Sequence, residues 1–386
     1  MGRDSSLVKW VAILLGLFCL PGYAKKPQKQ PTPLWSFDVR QFRWEDPADK
    51  IPEAFSKWLY EKGVVFTDRE LVAAYFVIRQ APALSVPGHP QASDSFQLRG
   101  VFLDAATGDL RHKQDWPTMP YLPSELLPTH DGKFVIRAGH SLTLYSPTFD
   151  LMKERSLPWS KIPERPYPTL WVSPTGRTLF LSDDRFPKLN WVRLDSDSLD
   201  VLDEWNEEYD STLCFTVSDN AIARSCDSGQ VWLRTVGEPW RLHYSSPTRL
   251  LCDFPTFIDN ETLAIDVCPG IVVVSTRGDV LFEDLFPDEY RKDPLRKEVV
   301  ISRESRRFAI VLKRLKGGYF DTPFHVGAIQ ITIYDLRTKN RIFTLEFKRP
   351  PKHAFWDFAL SPDGQRLAVM LGPRVEVYQL PSGPQQ

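Results

Sequence analysis

The chain repeats one short pattern: a polar turn, then a run of small or branched apolar residues the length of a strand. Ser361-Pro362-Asp363-Gly364-Gln365-Arg366-Leu367-Ala368-Val369 is the clearest copy. Ser173-Pro174-Thr175-Gly176 before Leu179-Phe180-Leu181 is a second, and Thr129-His130-Asp131-Gly132 before Phe134-Val135-Ile136 a third. Looser copies begin at Thr67, Ser218, Ile258 and Ser302. Asp-Gly and Asp-Asn supply the positive φ that a tight hairpin requires. The flanking runs are apolar on both alternating sets of positions, as in strands covered on both faces.

The seven turns centre on residues 68, 131, 175, 219, 259, 303 and 363, and four of the six spacings are 40 or 44 residues. That period, with short strands, is the repeat of a β-propeller blade. A second hairpin follows each first one, as in Val101 to Leu110, Trp191 to Leu202, Val231 to Leu242, Val272 to Phe282 and Ile331 to Ile342. Two hairpins make four strands. The pattern therefore predicts an all-β fold, a seven-bladed propeller of four-stranded antiparallel blades over residues 35–382. The last blade shows only three strands, near Phe355–Leu360, Arg366–Met370 and Arg374–Gln379. The alternating segment Trp35 to Phe42 is expected to supply the fourth and close the ring. Ile51 to Lys62, with Pro52 in its first turn, reads as a short helix leading to the first blade.

Residues 329–380 resemble WD-repeat sequence, and the looser copies resemble bacterial YVTN-type propellers. Tyr334-Asp335 stands where that family has Trp-Asp, and Ser361-Pro362-Asp363-Gly364 matches its inner turn. His353 falls near the place of the family's Gly-His pair, without the Gly. The resemblance implies the fold and leaves function open, because propellers host many activities.

Composition adds a compartment. Arg3 and Lys9 flank the start of an apolar run from Leu7 to Leu20, which ends at Pro21-Gly22-Tyr23-Ala24. This is the layout of a secretory signal peptide. Residues 1–24 are read as that leader, 25–34 as a linker and 383–386 as a tail. The mature chain is expected to be exported, periplasmic or extracellular, to have no membrane span and to be a monomer. With 48 Lys+Arg against 49 Asp+Glu the net charge is -1, which gives no pull toward nucleic acid. The 33 Pro residues oppose long helices.

Cys214, Cys226, Cys252 and Cys268 lie beyond the leader, and an oxidising compartment favours disulfides. Cys214 and Cys226 are each six residues from Asn220, and Cys252 and Cys268 each eight from Asn260. Three-residue loops at Asp219–Ala221 and Asp259–Glu261 would set each pair face to face. Bridges Cys214–Cys226 and Cys252–Cys268 are expected, with Cys226–Cys252 as the rival.

No G-x-S-x-G or H-E-x-x-H occurs, and the seven His are scattered. The acidic clusters lack calcium-loop spacing. No catalytic residue, metal ligand or cofactor is assigned. Loops of the second class, joining strands two and three or successive blades, are long and aromatic: Gln80–Ser95, Asp115–Leu127, Pro158–Pro168, Asp183–Lys188, Glu283–Lys297, Lys313–Val326 and Lys348–His353. Binding usually lives on such loops. The candidate contacts are Trp159, Tyr167, Tyr319, Phe320 and His325. A non-catalytic scaffold for a protein or small ligand is the first reading. A secreted propeller enzyme of lactonase, hydrolase or quinoprotein type is the alternative.

Overall fold

In a computed structural model, Thr32–Gln386 form one compact unit. The structure describes residues 31–42, 62–80, 95–118, 124–138, 141–157, 169–185, 188–208, 214–226, 229–245, 255–267, 270–286, 297–316, 325–348 and 356–382. These residues form seven four-stranded antiparallel sheets, the blades of a ring. The inner strands, in chain order, are Lys62–Phe66, Ser124–Pro128, Thr169–Val172, Cys214–Val217, Thr256–Asp259, Lys297–Ile301 and Trp356–Leu360.

Seven apolar clusters hold the ring, each a wedge between successive blades. Strand periodicity explains them. In the second strand of blade 1 (Leu71–Gln80), Val72, Ala74, Phe76 and Ile78 pack toward blade 7, whereas Ala73 and Val77 pack toward blade 2. This second strand thus feeds two wedges, which is why it reads as unbroken apolar sequence.

The seventh blade closes as expected. Trp35–Asp38 lies antiparallel beside Arg374–Gln379, pairing Trp35 with Val377 and Asp38 with Arg374. The strand is shorter than expected: Val39–Phe42 turn away as a 3-10 helix. The Trp35 indole donates to the Ala105 carbonyl of blade 1, so the closing strand also holds the neighbouring blade.

Some expected loops are strand. Thr178–Arg185 and Lys188–Asp195 pair along their whole length, so Asp183–Lys188 is a continued hairpin. The second and third strands of blade 1 reach Gln80 and restart at Ser95, and those of blade 6 reach Lys316 and restart at His325. Longer strands thus account for part of the two wide spacings. Lys62, expected to end a helix, opens the inner strand of blade 1, and 51–61 lie outside the described residues.

Six of the seven outer hairpins carry a register shift at the same place, just after the turn. The extra residue leaves neighbours such as Leu151 and Met152, or Val201 and Leu202, both exposed. The turns repeat as well. Gly108, Phe149, Leu199 and Lys339 all sit four residues past the end of the third strand with φ between 54° and 80°. The carboxylates of Asp104, Asp195 and Asp335 accept N–H bonds from their own turns, the capping that Asp provides.

Candidate functional site

The two ends of the ring differ. On the face made by the inner turns, bonds join the turns of several successive blades. The Thr175 and Thr178 hydroxyls of blade 3 donate to the Asp219 carboxylate of blade 4. Asp219 N–H and carboxylate in turn bond the Asn260 side chain of blade 5. Ser302 of blade 6 donates its hydroxyl to the carbonyls of Ser361 and Pro362 in blade 7. Gly364 is required there beyond its φ of 67°, because a Cβ would meet Ser305 Oγ at 2.1 Å.

Among the described residues, side chains of blade 6 cross this face. Arg303, on the inner turn of blade 6, donates from Nη1 to the Thr129 carbonyl of blade 2 at 2.8 Å. Blades 7 and 1 lie between them. Beside it, Arg69 of blade 1 pairs with Glu304 of blade 6. Burial drags the Arg303 guanidinium down to about 10, only partly opposed by Glu304.

The other half of the axial wall carries ionisable groups at the beginnings of the inner strands. Asp357 in blade 7 accepts the Val64 N–H of blade 1 through Oδ2 at 2.8 Å. Desolvation pushes its carboxyl up to about 7, and Glu298 adds to the rise, against N–H bonds from Val64 and Phe358 and the Lys313 charge. Lys313 donates to Glu298 at 2.7 Å and lies 3.8 Å from the Trp356 ring centre. In blade 2, burial raises Glu125, opposed by Arg137 with Nη1 3.7 Å from Oε1. Glu125 nevertheless keeps 25% of its side-chain surface. Deep position and retained accessibility together mark a group on the wall of the axial channel. Lys62 of blade 1 is buried nearby. Blades 6, 7, 1 and 2 therefore share a charged wall of both signs.

The Tyr334-Asp335 pair is structural. Arg307 and Asp335 form an ion pair with no side-chain exposure, Nε to Oδ2 3.1 Å. Burial pushes Asp335 up, but bonds from Arg337 and Arg307 hold it down at about 2. Tyr334 donates its hydroxyl to Asp284 of blade 5.

Of the expected contacts, Trp159, Tyr167, Tyr319 and Phe320 lie outside the described residues. His325 opens the third strand of blade 6, its backbone opposite Lys316. Of the five, His325 alone lies among the described residues. The channel groups were not foreseen. The available signal was a lone acid in an apolar inner strand: Asp357 between Trp356 and Phe358, and Glu125 ahead of Leu126-Leu127.

The blade 4 cysteine register needs correction. Cys214 faces Ser225, and Val217 faces Ile222. Ser218 N–H donates to the Ala221 carbonyl, and the Ser218 hydroxyl accepts from Ala221 N–H. These bonds shorten the expected three-residue loop by one residue, so Cys226 is one position off the facing site. In blade 5 Thr256 faces Ala264 and Phe257 faces Leu263, the register expected about Asn260, but a shift at the tip pairs Asp259 with Thr262, so the expected loop Asp259–Glu261 is one residue shorter. Cys252 and Cys268 themselves lie outside the described residues.

No helix among the described residues is long and apolar enough to cross a membrane. Among them no three His, Cys, Asp or Glu groups gather as for a metal ion.

No family model matches the chain, and no curated protein matches it. Among solved structures, the C-terminal WD40 domain of Sif2 is similar, with TM-score 0.48 and 9% identity, over 92% of this chain and 99% of that one. A selenomethionine-substituted virginiamycin B lyase from Staphylococcus aureus is similar with TM-score 0.44 and 12% identity, over 79% of this chain and 99% of that one. At such scores neither likeness bears on what the chain does; the seven-bladed ring stands on its sheet order.

Proposed function

We propose that the protein is an exported, non-catalytic binding propeller that takes a protein or small-ligand partner at the face opposite the inner turns. One observation carries this reading. The inner-turn face is bonded blade to blade and crossed by Arg303, whereas Glu125, Glu298, Lys313 and Asp357 stand on the opposite half of the wall. Ionisable groups on a rigid channel wall supply orientation to a ligand at low entropic cost. In the sequence, Trp159, Tyr167, Tyr319 and Phe320 fall between described strands, and His325 begins one of them.

The test is affinity capture from an exported-protein extract with wild type and the double variant Tyr319→Ala/Phe320→Ala. A partner retained by wild type and lost by the variant, at an unchanged melting temperature, supports the reading. Equal capture by both, or an unfolded variant with no binding-specific effect, refutes the assignment of these residues.

A further inference from the structure

A cation on one blade can tie the outer turn of the next. Lys153, on the fourth strand of blade 2, donates at 2.6 Å to the carboxylate of Asp200, which closes the outer turn of blade 3. Blades 4 and 5 lack this ion pair. Arg241 opens the fourth strand of blade 4 and reaches the outer turn of blade 5, where it meets the Thr276 carbonyl at the long distance of 3.5 Å. Asp279 stands in that turn as Asp200 does in the other, since the carbonyl of each accepts the N–H that closes the turn. The Asp279 carboxylate is instead turned to the Ser275 hydroxyl of its own turn. Arg241 is left exposed, with one weak partner among the described residues.

A cleft of about 180 Å³ lies at this junction, and Arg241 lines it. Thr235 of blade 4 and Thr276 of blade 5 line it as well, both half-buried, and neither hydroxyl has a bonded partner among the described residues. Asn220 is exposed at its edge. Arg193 donates to Asn220 Oδ1, which sets the direction of the amide and leaves Nδ2 as a donor. Asn260 also lines the cleft, but both ends of its amide are spent on Asp219. Asp219 in turn is held by Thr175 and Thr178, and no lining residue is acidic.

The balance of these groups selects a ligand. A guanidinium without a carboxylate partner, joined by two hydroxyls and an amide N–H, is a donor set for a planar oxyanion. One positive charge matches a monoanion and would leave a second negative charge uncompensated. Ala221 and Leu233 add apolar lining for a short carbon body. We propose that the cleft between blades 4 and 5 binds the carboxylate of a small aliphatic acid, with Arg241 as its ion-pair partner and Asn220, Thr235 and Thr276 as hydrogen-bond donors. The cleft lies among the turns, away from the mouth assigned above, and either assignment can fail without the other.

The experiment titrates the purified full protein with sodium butyrate, sodium sulfate and butylammonium chloride at ionic strength held constant with sodium chloride. Calorimetry and melting temperature are the readouts. Butyrate should bind saturably, more tightly than sulfate, and raise the melting temperature, and butylammonium should do neither. Arg241→Gln should weaken butyrate binding by about tenfold or more, and Thr235→Val by about threefold. Arg277→Gln removes an exposed charge beside Thr276 that does not line the cleft, and should leave the affinity unchanged. If Arg241→Gln does not fold, Thr235→Val decides the matter. No saturable effect of butyrate, tighter binding of sulfate, equal binding of butylammonium, equal loss in Arg277→Gln, or unchanged affinity in the deciding variant overturns the proposal.

Discussion

Asp357→Asn separates a half-buried, desolvated acid from an ordinary surface one. In the folded protein the carboxyl titrates at about 7, because desolvation and Glu298 outweigh the bonds it accepts. In the unfolded chain it returns to near 3.8. The folded state therefore holds a proton that the unfolded state releases. Below about pH 4 both states are protonated and nothing is lost. Stability then falls as pH rises, and the loss is complete above about 7. A difference of roughly 3 units corresponds to on the order of 4 kcal/mol at the upper limit. Asparagine keeps an oxygen for the Val64 N–H and cannot ionise. Denaturant unfolding of wild type and Asp357→Asn at pH 5, 6, 7 and 8 measures the effect. The variant's advantage over wild type should grow by about 2–3 kcal/mol between pH 5 and pH 8. Lys313→Met should move the wild-type midpoint upward, since Lys313 lowers this carboxyl. Parallel curves from pH 5 to 8 would refute the reasoning and make Asp357 a solvated group.

Lys339 is exposed at a φ of 54°, in the turn position that blade 1 gives to Gly108. Lys339→Gly should stabilise by about 0.5–1 kcal/mol, the backbone relief less the added unfolded-state entropy, and a lower melting temperature would contradict this. Non-reducing peptide mapping of exported protein should recover a Cys252–Cys268 link, since Thr256 opposite Ala264 and Phe257 opposite Leu263 keep the register that this pairing needs. A Cys226–Cys252 peptide, or free thiols at 252 and 268, would overturn it.

The sequence disclosed the blades because their signals are local. Each inner turn announces itself by Asp, Gly, Pro or Ser, and each strand by its apolar run. Strand ends were harder. Asp183-Asp184-Arg185 and Lys313-Arg314 read as loop, yet their backbones continue in ladders. A hairpin tip extending beyond the core has no apolar requirement, so polarity alone misplaces its end. The blade 4 register turned on two hydrogen bonds at Ser218, which no pattern of types fixes. The channel was least legible. Arg303 meets Thr129 across 174 residues of chain, and Val64 meets Asp357 across 293. Such contacts come from closure of the ring, and only the folded geometry reveals them.

That closure sets an order of events in synthesis. Trp35 pairs with Val377, so the first of the described strands waits for the last of them. Until then blade 7 lacks its outer strand, and blade 1 lacks the indole that reaches Ala105. Contacts so distant in sequence form slowly, and an unpaired strand edge in the meantime invites association with other chains. A nascent chain crossing a membrane would have its first strand delivered early and idle, a natural client for a holding chaperone. Linking the chain after Gln379 to the chain before Trp35 and reopening it at an outer turn would make that strand contiguous with its partner, turning the slowest pairing into a local hairpin.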